Sequence, residues 1–205
     1  MAAPDHSFAD QDIKDAITTG EYARAWRQLT DLYALFIFRY CHGMLGGDAA
    51  LAEDLTHQVL MAAGEGLPKF RARSSVKTWV LGIAHNMVRQ EIGVRQRRQT
   101  VMSRYRDVAD AIHPGHVGVA TDGGYAALDD HLLSHEQQTQ LKHALATLEP
   151  RARSIVLLRF GIGSRQAELS VPEIAEILGL SRSDAYRRLN LALAQLKKAL
   201  DDELA

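Results

Sequence analysis

Polar side chains at helical spacing near the carboxyl end are the first residues whose types suggest a chemistry. Ser183, Arg187 and Asn190 recur every three or four residues, so a helix would present them on one face. Hydroxyl, guanidinium and amide groups are the ones that proteins use to contact base edges and phosphates. The opposite face is apolar, as in a helix that packs on a core. That apolar stripe comprises Ala185, Leu189, Ala192, Leu193, Leu196 and Leu200.

Capping residues just upstream predict a second, shorter helix. Ser170 and Glu173 form a capping box, and Gly179 is placed to end that helix in a left-handed conformation. Two short capped helices around a glycine turn predict a helix-turn-helix that binds double-stranded DNA, over about residues 169–200. The alternative is a helical hairpin whose arginines are merely solvated. The predicted DNA contacts are Ser181, Arg182, Ser183, Asp184, Arg187, Arg188 and Asn190.

A second cationic region lies in the first half of the chain. Residues 65–106 carry ten Lys and Arg against two Asp and Glu, whereas residues 1–64 carry four against nine. Cations for the backbone and aromatic rings beside an unstacked base are what a protein needs to hold an opened duplex. The residues that offer these groups are Phe70, Arg71, Arg73, Lys77, Trp79 and Arg89. For Trp79, a position in the protein core is an equally good interpretation.

The segment before this basic region predicts a helix with an acidic outer face. It begins after Asp48, and its apolar residues at positions 51, 55, 59 and 62 would face inward. Glu53, Asp54, His57 and Gln58 are then left on the outside.

The elements that must position these groups are all predicted to be helices, because no segment alternates as a strand does. The predicted fold class is therefore all-α, with helices at 9–18, 21–44, 49–63, 75–98, 138–148, 151–160, 171–178 and 182–200. Residues 107–137 carry six acidic residues and no Lys or Arg, with several glycines, which predicts a flexible linker. The predicted division is an N-terminal extension at 1–20, a helical domain at 21–99, an acidic linker at 100–137 that contains Gly and His, and a second helical domain at 138–205.

Other site types find little support in the sequence. His131 and His135, spaced i,i+4 among acidic residues, are weak candidates for a metal site, and polar linker filler is the alternative. No pattern for a catalytic nucleophile or a phosphate-binding loop is present, so neither an enzyme nor a cofactor is expected. The single cysteine, Cys41, is expected to be a reduced core thiol. Without a long apolar run or a signal peptide, the chain is expected to be cytoplasmic.

An ordered set of short motifs runs along the chain. The first is A-E-D-L-T at 52–56. The next group comprises Phe70, Ser74-Ser75, Thr78-Trp79, Ile83-Ala84 and Asn86. The last two are L-x-x-R at 148–151 and L-x-R at 157–159. In these motifs and their order the chain resembles the sigma-70 family of bacterial RNA polymerase sigma factors, specifically the small extracytoplasmic-function (ECF) type. The resemblance implies a region 2 domain and a region 4 helix-turn-helix domain.

The resemblance also implies partners and roles. Glu53, Asp54 and Gln58 would bind the clamp helices of the largest subunit of core RNA polymerase. The helix-turn-helix would read the −35 promoter element, and an anti-sigma factor or other regulator is implied as a further partner. The residues that would engage the −10 element, where the duplex opens, are Phe70, Arg71, Arg73, Ser75, Lys77, Trp79, Asn86 and Arg89.

The expected function is therefore an alternative sigma factor for transcription initiation. A sigma-like decoy that occupies an anti-sigma factor, or a stand-alone helix-turn-helix regulator, is the alternative. The chain departs from the usual family pattern at His85, where an arginine is common, and at Asp184 and Tyr186 of the reading helix. Charge alone also raises the hypothesis that the acidic linker lies against the basic 65–106 region and competes with DNA.

Overall fold

The structure, a computed structural model, describes residues 6–110, 135–160 and 169–203, with side chains over 10–100, 139–160 and 169–201. Within these ranges the chain folds into α-helices and one short 3-10 turn at Leu67–Lys69, and the all-α prediction is confirmed. The helices are α1 (His6–Thr18), α2 (Tyr22–Met44), α3 (Ala49–Gly66), α4 (Val76–Asp110), α5 (His135–Thr147), α6 (Pro150–Phe160), α7 (Val171–Leu178) and α8 (Arg182–Glu203).

Helices α1 to α4 pack around one apolar core in the first half of the chain. Residues at helical spacing along α2, among them Leu29, Tyr33 and Ile37, are buried between α1, α3 and α4. Asp48 caps α3, its carboxylate accepting a hydrogen bond from the amide of Leu51 at 3.1 Å. The second oxygen of Asp48 pairs with Arg95 of α4 at 2.7 Å, so the cap also ties α3 to α4.

The N-terminal helix α1 belongs to this core. Its residues Ile13 and Ala16 are buried. Asp10, on the same helix, reaches the start of α4. There its carboxylate accepts hydrogen bonds from the amides of Val76 at 2.8 Å and Lys77 at 3.4 Å. Because these amides lie in the first turn of α4 and lack partners within the helix, a residue 66 positions earlier supplies part of the cap.

Helix α4 is longer than the sequence pattern predicted. It continues to Asp110 rather than ending near residue 98, so the first part of the segment assigned to the linker is helical. No glycine or proline lies between residues 94 and 110, whereas Pro114 and Gly115 follow shortly afterwards. A helix propagates where nothing breaks it, and polar composition alone does not end one.

Helices α5 to α8 form a second unit that ends in the predicted helix-turn-helix. The hydroxyl of Ser170 accepts from the amide of Glu173, and the Glu173 carboxylate accepts from the amide of Ser170, which completes the capping box. Gly179 ends α7 with φ +63°, in the left-handed region that glycine favours. Four residues of the apolar stripe of α8 are buried, but Leu193 is 37% exposed and was wrongly assigned to the core face.

The two units pack directly against each other, α7 on α4 and α6 on α2. The Tyr40 hydroxyl lies 2.9 Å from Nδ1 of His85, and it donates to the hydroxyl of Ser154 on α6 at 3.4 Å. Nearby, the hydroxyl of Thr78 on α4 donates to Glu173 on α7 at 3.3 Å. The sequence predicted the two units but not their contact.

Cys41 lies fully buried on α2, and burial raises the pKa of its thiol to about 12. The prediction of a core thiol is confirmed. Among the described residues, no helix combines the length and apolar character needed to cross a membrane.

Candidate nucleic-acid interface

The outer face of α8 presents the polar residues that the sequence placed there. Ser181, Arg182, Ser183, Arg187 and Asn190 are exposed. The hydroxyl of Ser181 accepts from the amide of residue 184 at 3.1 Å, which starts the helix as predicted. An exposed helix with this polar face matches the dimensions of a DNA major groove.

Asp184 and Arg188 lie at the flank of this face and are partly buried. The Asp184 carboxylate accepts from Nη2 of Arg187 and, at 2.8 Å, from Nε of Arg188. The hydrogen bond from Arg187, followed by that from Arg188, holds the pKa of Asp184 below its usual range. Arg187 and Arg188 of α8 are therefore joined through one carboxylate.

The basic loop between the 3-10 turn and α4 carries two of the predicted cations. Arg71 and Arg73 are both exposed, and Ala72 between them has φ +52°. This positive φ turns the backbone sharply, and it is uncommon for a residue other than glycine. The loop thus projects both guanidinium groups into solvent, where they are able to approach a phosphate backbone.

Phe70 and Trp79 pack together at the base of this loop. Their ring centroids lie 4.9 Å apart with planes tilted by 46°, and both side chains are partly buried against the core. Gly66 makes room for the indole, since a Cβ there would lie 2.9 Å from Cζ2 of Trp79. In this conformation Trp79 supports the loop, so its packing favours the core alternative over stacking on a base.

Two predicted −10 contacts have structural partners that the sequence did not indicate. The hydroxyl of Ser75 accepts from the amide of Thr78 at 2.9 Å and caps α4 together with Asp10. The ammonium group of Lys77 lies over the ring of Phe36, 5.5 Å from its centroid. Both residues therefore help to hold the start of α4 beneath the loop.

Further along α4, Asn86 and Arg89 are exposed. Arg89 also lines a crevice between the two helical units, together with Ile92, Arg151 and Leu178. His85, which directly precedes Asn86, faces the inside of the protein and is only 9% exposed. Burial, assisted by the positive charges of Arg89 and Arg151, lowers its pKa to about 4.

The acidic face of α3 is exposed as predicted. Glu53, Asp54 and Gln58 all point to solvent, whereas Leu55 and Val59 are buried beneath them. Glu53 and Asp54 lie near the start of α3, whereas the basic loop follows the end of that helix at Gly66. The chain therefore offers an acidic surface and a basic surface on one compact unit.

Apolar groups that the sequence did not single out lie beside this acidic face. Met61, one turn beyond Gln58, is 48% exposed, and Trp26 of α2 is 38% exposed. Nε1 of Trp26 donates to the carbonyl of Leu60 at 3.1 Å, and the ring fits closely against Gly64. Large apolar side chains kept at the surface in this way commonly mark a protein-binding site. For Met61, the spacing of seven residues from Asp54 along α3 was the available signal.

Several predictions fall on parts of the chain that the structure does not describe. His131 lies outside the described residues, and the side chain of His135 does as well. The same holds for the acidic segment 111–134, so its proposed contact with the basic region stays a prediction. Among the described side chains, no cluster of His, Cys, Asp and Glu could hold a metal ion.

Comparisons with known proteins match both helical units. The family model described as Sigma-70 region 2 matches residues 29–98, and the one described as Sigma-70, region 4 matches residues 144–198. A Bacillus subtilis protein, RNA polymerase sigma factor YlaC, is 28% identical over 173 residues, which is 84% of this chain and 88% of that protein. ECF RNA polymerase sigma factor SigC of Mycobacterium tuberculosis is 30% identical over 138 residues, 67% of this chain and 58% of that protein.

Solved structures share the fold. The sigma factor RpoE of Bartonella quintana, in complex with the anti-sigma factor NepR, superposes with a TM-score of 0.59 at 23% identity. That match covers 85% of this chain and 96% of RpoE. CnrH, in complex with the cytosolic domain of CnrY, has a TM-score of 0.63 at 20% identity, covering 95% of this chain and 98% of CnrH. With both regions matched in order over more than half of its length, the chain belongs to the sigma-70 family and is an alternative RNA polymerase sigma factor of the ECF type, acting in transcription initiation.

Proposed function

We propose that three separate surfaces of this chain have distinct binding roles in transcription initiation. The acidic face of α3, with Glu53, Asp54 and Gln58, binds the clamp helices of core RNA polymerase. The basic loop and α4 engage the −10 element through Phe70, Arg71, Arg73, Ser75, Lys77, Asn86 and Arg89, and Trp79 supports the loop through its packing on Phe70. The outer face of α8 reads the −35 element through Ser181, Arg182, Ser183, Asp184, Arg187, Arg188 and Asn190.

The observation that carries this proposal is the simultaneous exposure of oppositely charged groups on different faces. The side chain of Asp54 is solvent-exposed on α3, whereas Arg71 on the basic loop and Arg187 on α8 are also solvent-exposed. An anionic surface would repel the phosphate backbone, so α3 suits a protein partner, and the two cationic surfaces suit DNA. The exposed Met61 beside the acidic face supports a protein partner there.

Two finer points follow from this function. Because RNA polymerase acts on promoter DNA inside the cell, we place the chain in the cytoplasm and assign the chemistry of RNA synthesis to the polymerase. The complex of RpoE with the anti-sigma factor NepR supports an anti-sigma factor as a further partner of this chain.

Reversing the charge of the α3 face tests the division of surfaces. Asp54→Lys is expected to weaken association with core polymerase by at least roughly tenfold, the effect of about 1.4 kcal/mol lost when like charges meet at an interface. Size-exclusion co-elution and fluorescence anisotropy with purified core enzyme would measure it. The matched control is Asp201→Lys, the same reversal at an exposed position on α8.

For the test to be specific, Asp54→Lys must bind DNA as the wild-type protein does. Duplex DNA binding by Asp54→Lys is expected to stay within about twofold of wild type, because the substitution lies away from the loop and α8. If Asp54→Lys associates with core polymerase as well as the control does, the clamp interface is not on α3. If wild-type protein neither binds core polymerase nor supports transcription from any promoter of its genome, the proposed function itself fails.

A further inference from the structure

The start of α8 carries a carboxylate placed between two arginines of the reading helix. One oxygen of Asp184 accepts from Nη2 of Arg187, and the other accepts from Nε of Arg188 at 2.8 Å. Each oxygen thus holds a different guanidinium group. The family resemblance did not predict this group, because Asp184 is one of the positions at which the chain departs from the usual family pattern.

The two arginines differ in how far they project. The side chain of Arg187 is 68% exposed, that of Arg188 is 31% exposed, and that of Asp184 is 24% exposed. The carboxylate therefore lies below the tips of the arginines rather than beyond them. A groove of DNA laid on this face would meet the guanidinium of Arg187 before it met the carboxylate.

The pairing leaves the outer part of Arg187 able to bind. A guanidinium has five N–H donors in a planar fork, and Asp184 engages the terminal nitrogen Nη2. The remaining fork has the geometry that matches O6 and N7 of a guanine in the major groove. Arg188, held closer to the helix, has the reach for a flanking phosphate.

A purely local role for Asp184 explains less of the geometry. An acidic residue in the first turn of a helix is favoured by the helix dipole, and the Ser181 hydroxyl already satisfies the Asp184 amide. Neither effect requires both arginines to bend back toward the carboxylate. Two cations and one anion also leave this patch with a net positive charge, so Asp184 organises the patch without cancelling it.

We propose that Asp184 is a positioning residue for −35 recognition. It fixes the guanidinium of Arg187 in the orientation that contacts a guanine and sets Arg188 on the adjacent backbone, so that less side-chain freedom is lost on binding. This inference rests on the proposed function and deepens it, because it separates the residue that contacts the base from the residue that orients it.

The test measures sequence preference rather than affinity alone. Holoenzymes reconstituted with wild type, Asp184→Ala, Asp184→Asn, Arg187→Ala and the Asp184→Ala/Arg187→Ala double variant select from promoter DNA with a randomised −35 element. Asp184→Ala is expected to reduce the preference at one guanine position by roughly fivefold, the cost of ordering one long side chain. Arg187→Ala is expected to reduce the preference at that same position by more than Asp184→Ala does, and Asp184→Asn, which keeps one acceptor oxygen, to fall between wild type and Asp184→Ala.

The double variant supplies the decisive comparison. If Asp184 acts through Arg187, adding Asp184→Ala to Arg187→Ala causes no further loss of preference at that position. The control Asp201→Ala removes a negative charge from an exposed site on the same helix and is expected to leave every preference unchanged.

Two outcomes would overturn the inference, and each is distinct from failure of the proposed function. If Asp184→Ala tightens binding equally to all sequences, the carboxylate only repels phosphates. If its effect is the same with and without Arg187, the two residues act independently. By contrast, a wild-type holoenzyme with no −35 preference at all would overturn the proposed function as well.

Discussion

His85 shows how a single residue depends on its surroundings for its chemical state. The imidazole is 9% exposed and lies 2.9 Å from the Tyr40 hydroxyl. Burial, with Arg89 and Arg151 nearby, lowers its pKa to about 4, so the ring is neutral near pH 7. Burial likewise raises the pKa of the Tyr40 hydroxyl, which keeps both partners uncharged.

We expect His85 to make stability fall in mild acid. An unfolded histidine binds a proton near pH 6.5, whereas folded His85 does so only near pH 4, so the unfolded state binds more protons between these values. The contribution of His85 is therefore fully present above about pH 6.5 and is lost as pH falls through 4. Urea unfolding from pH 7.5 to 4 should show a flatter pH profile for His85→Gln than for wild type.

The exposed His57 of α3 provides the control for this profile. His57→Gln should unfold with the same pH dependence as wild type. If His85→Gln and wild type lose stability in parallel as the pH falls, then His85 is not the group that titrates.

At the level of elements, α1 acts on the basic loop through the start of α4. Asp10 accepts from the amides of Val76 and Lys77, and it also receives the hydroxyl of Tyr33 at 3.3 Å. Neither family match includes α1, since the region 2 match begins at residue 29. The helix that precedes the region 2 match thus helps to fix the loop that carries Arg71 and Arg73.

Removing this cap should destabilise the first helical unit. Asp10→Ala is expected to lower the free energy of unfolding by about 1–2 kcal/mol, the usual cost of losing a capping carboxylate and leaving buried donors unpaired. Chemical denaturation followed by circular dichroism would measure the change. Asp12→Ala, at an exposed position on the same helix, should cost less than about 0.5 kcal/mol; equal losses in the two variants would contradict a specific cap.

For the whole molecule, the defining feature is the contact between the two helical units. Ser154 of α6 is 1% exposed and contacts the Tyr40 hydroxyl and Sδ of Met44, both from α2. Arg153 lies beside it, with Nη1 3.5 Å from the carbonyl of Met44 and Nε donating to the carbonyl of Leu145 at 2.8 Å. The junction therefore joins the ends of α2 and α5 to α6.

A bulky cation at this junction should separate the units. Ser154→Arg adds a positive charge near Arg89, Arg151 and Arg153 in a space that holds a hydroxyl, at a cost of several kcal/mol for an unpaired buried charge. We expect a larger radius of gyration by small-angle X-ray scattering, with the helical circular dichroism signal preserved. Gln195→Arg, at an exposed site on α8, is the control; a folded Ser154→Arg variant with an unchanged radius of gyration would show that this junction does not hold the units together.

The sequence alone determined the helices and the faces they present. Capping box, turn glycine and apolar spacing act over three or four residues, so Ser170, Glu173 and Gly179 could be assigned their roles from local pattern. The outward positions of Asp54 and Arg187 followed from the same periodicity. The end of α4 was missed because polar composition suggested a linker while no residue actually broke the helix.

Only the tertiary structure decided which distant groups meet. Asp10 reaches an amide 66 residues away, and Tyr40 reaches Ser154 across 114 residues. No local pattern encodes such pairings, because they depend on how whole helices pack. For the same reason the sequence left Trp79 open between core and surface, and only its packing against Phe70 and Gly66 favours the core position. The hydrogen bonds from both arginines to the Asp184 carboxylate likewise became visible only in the structure.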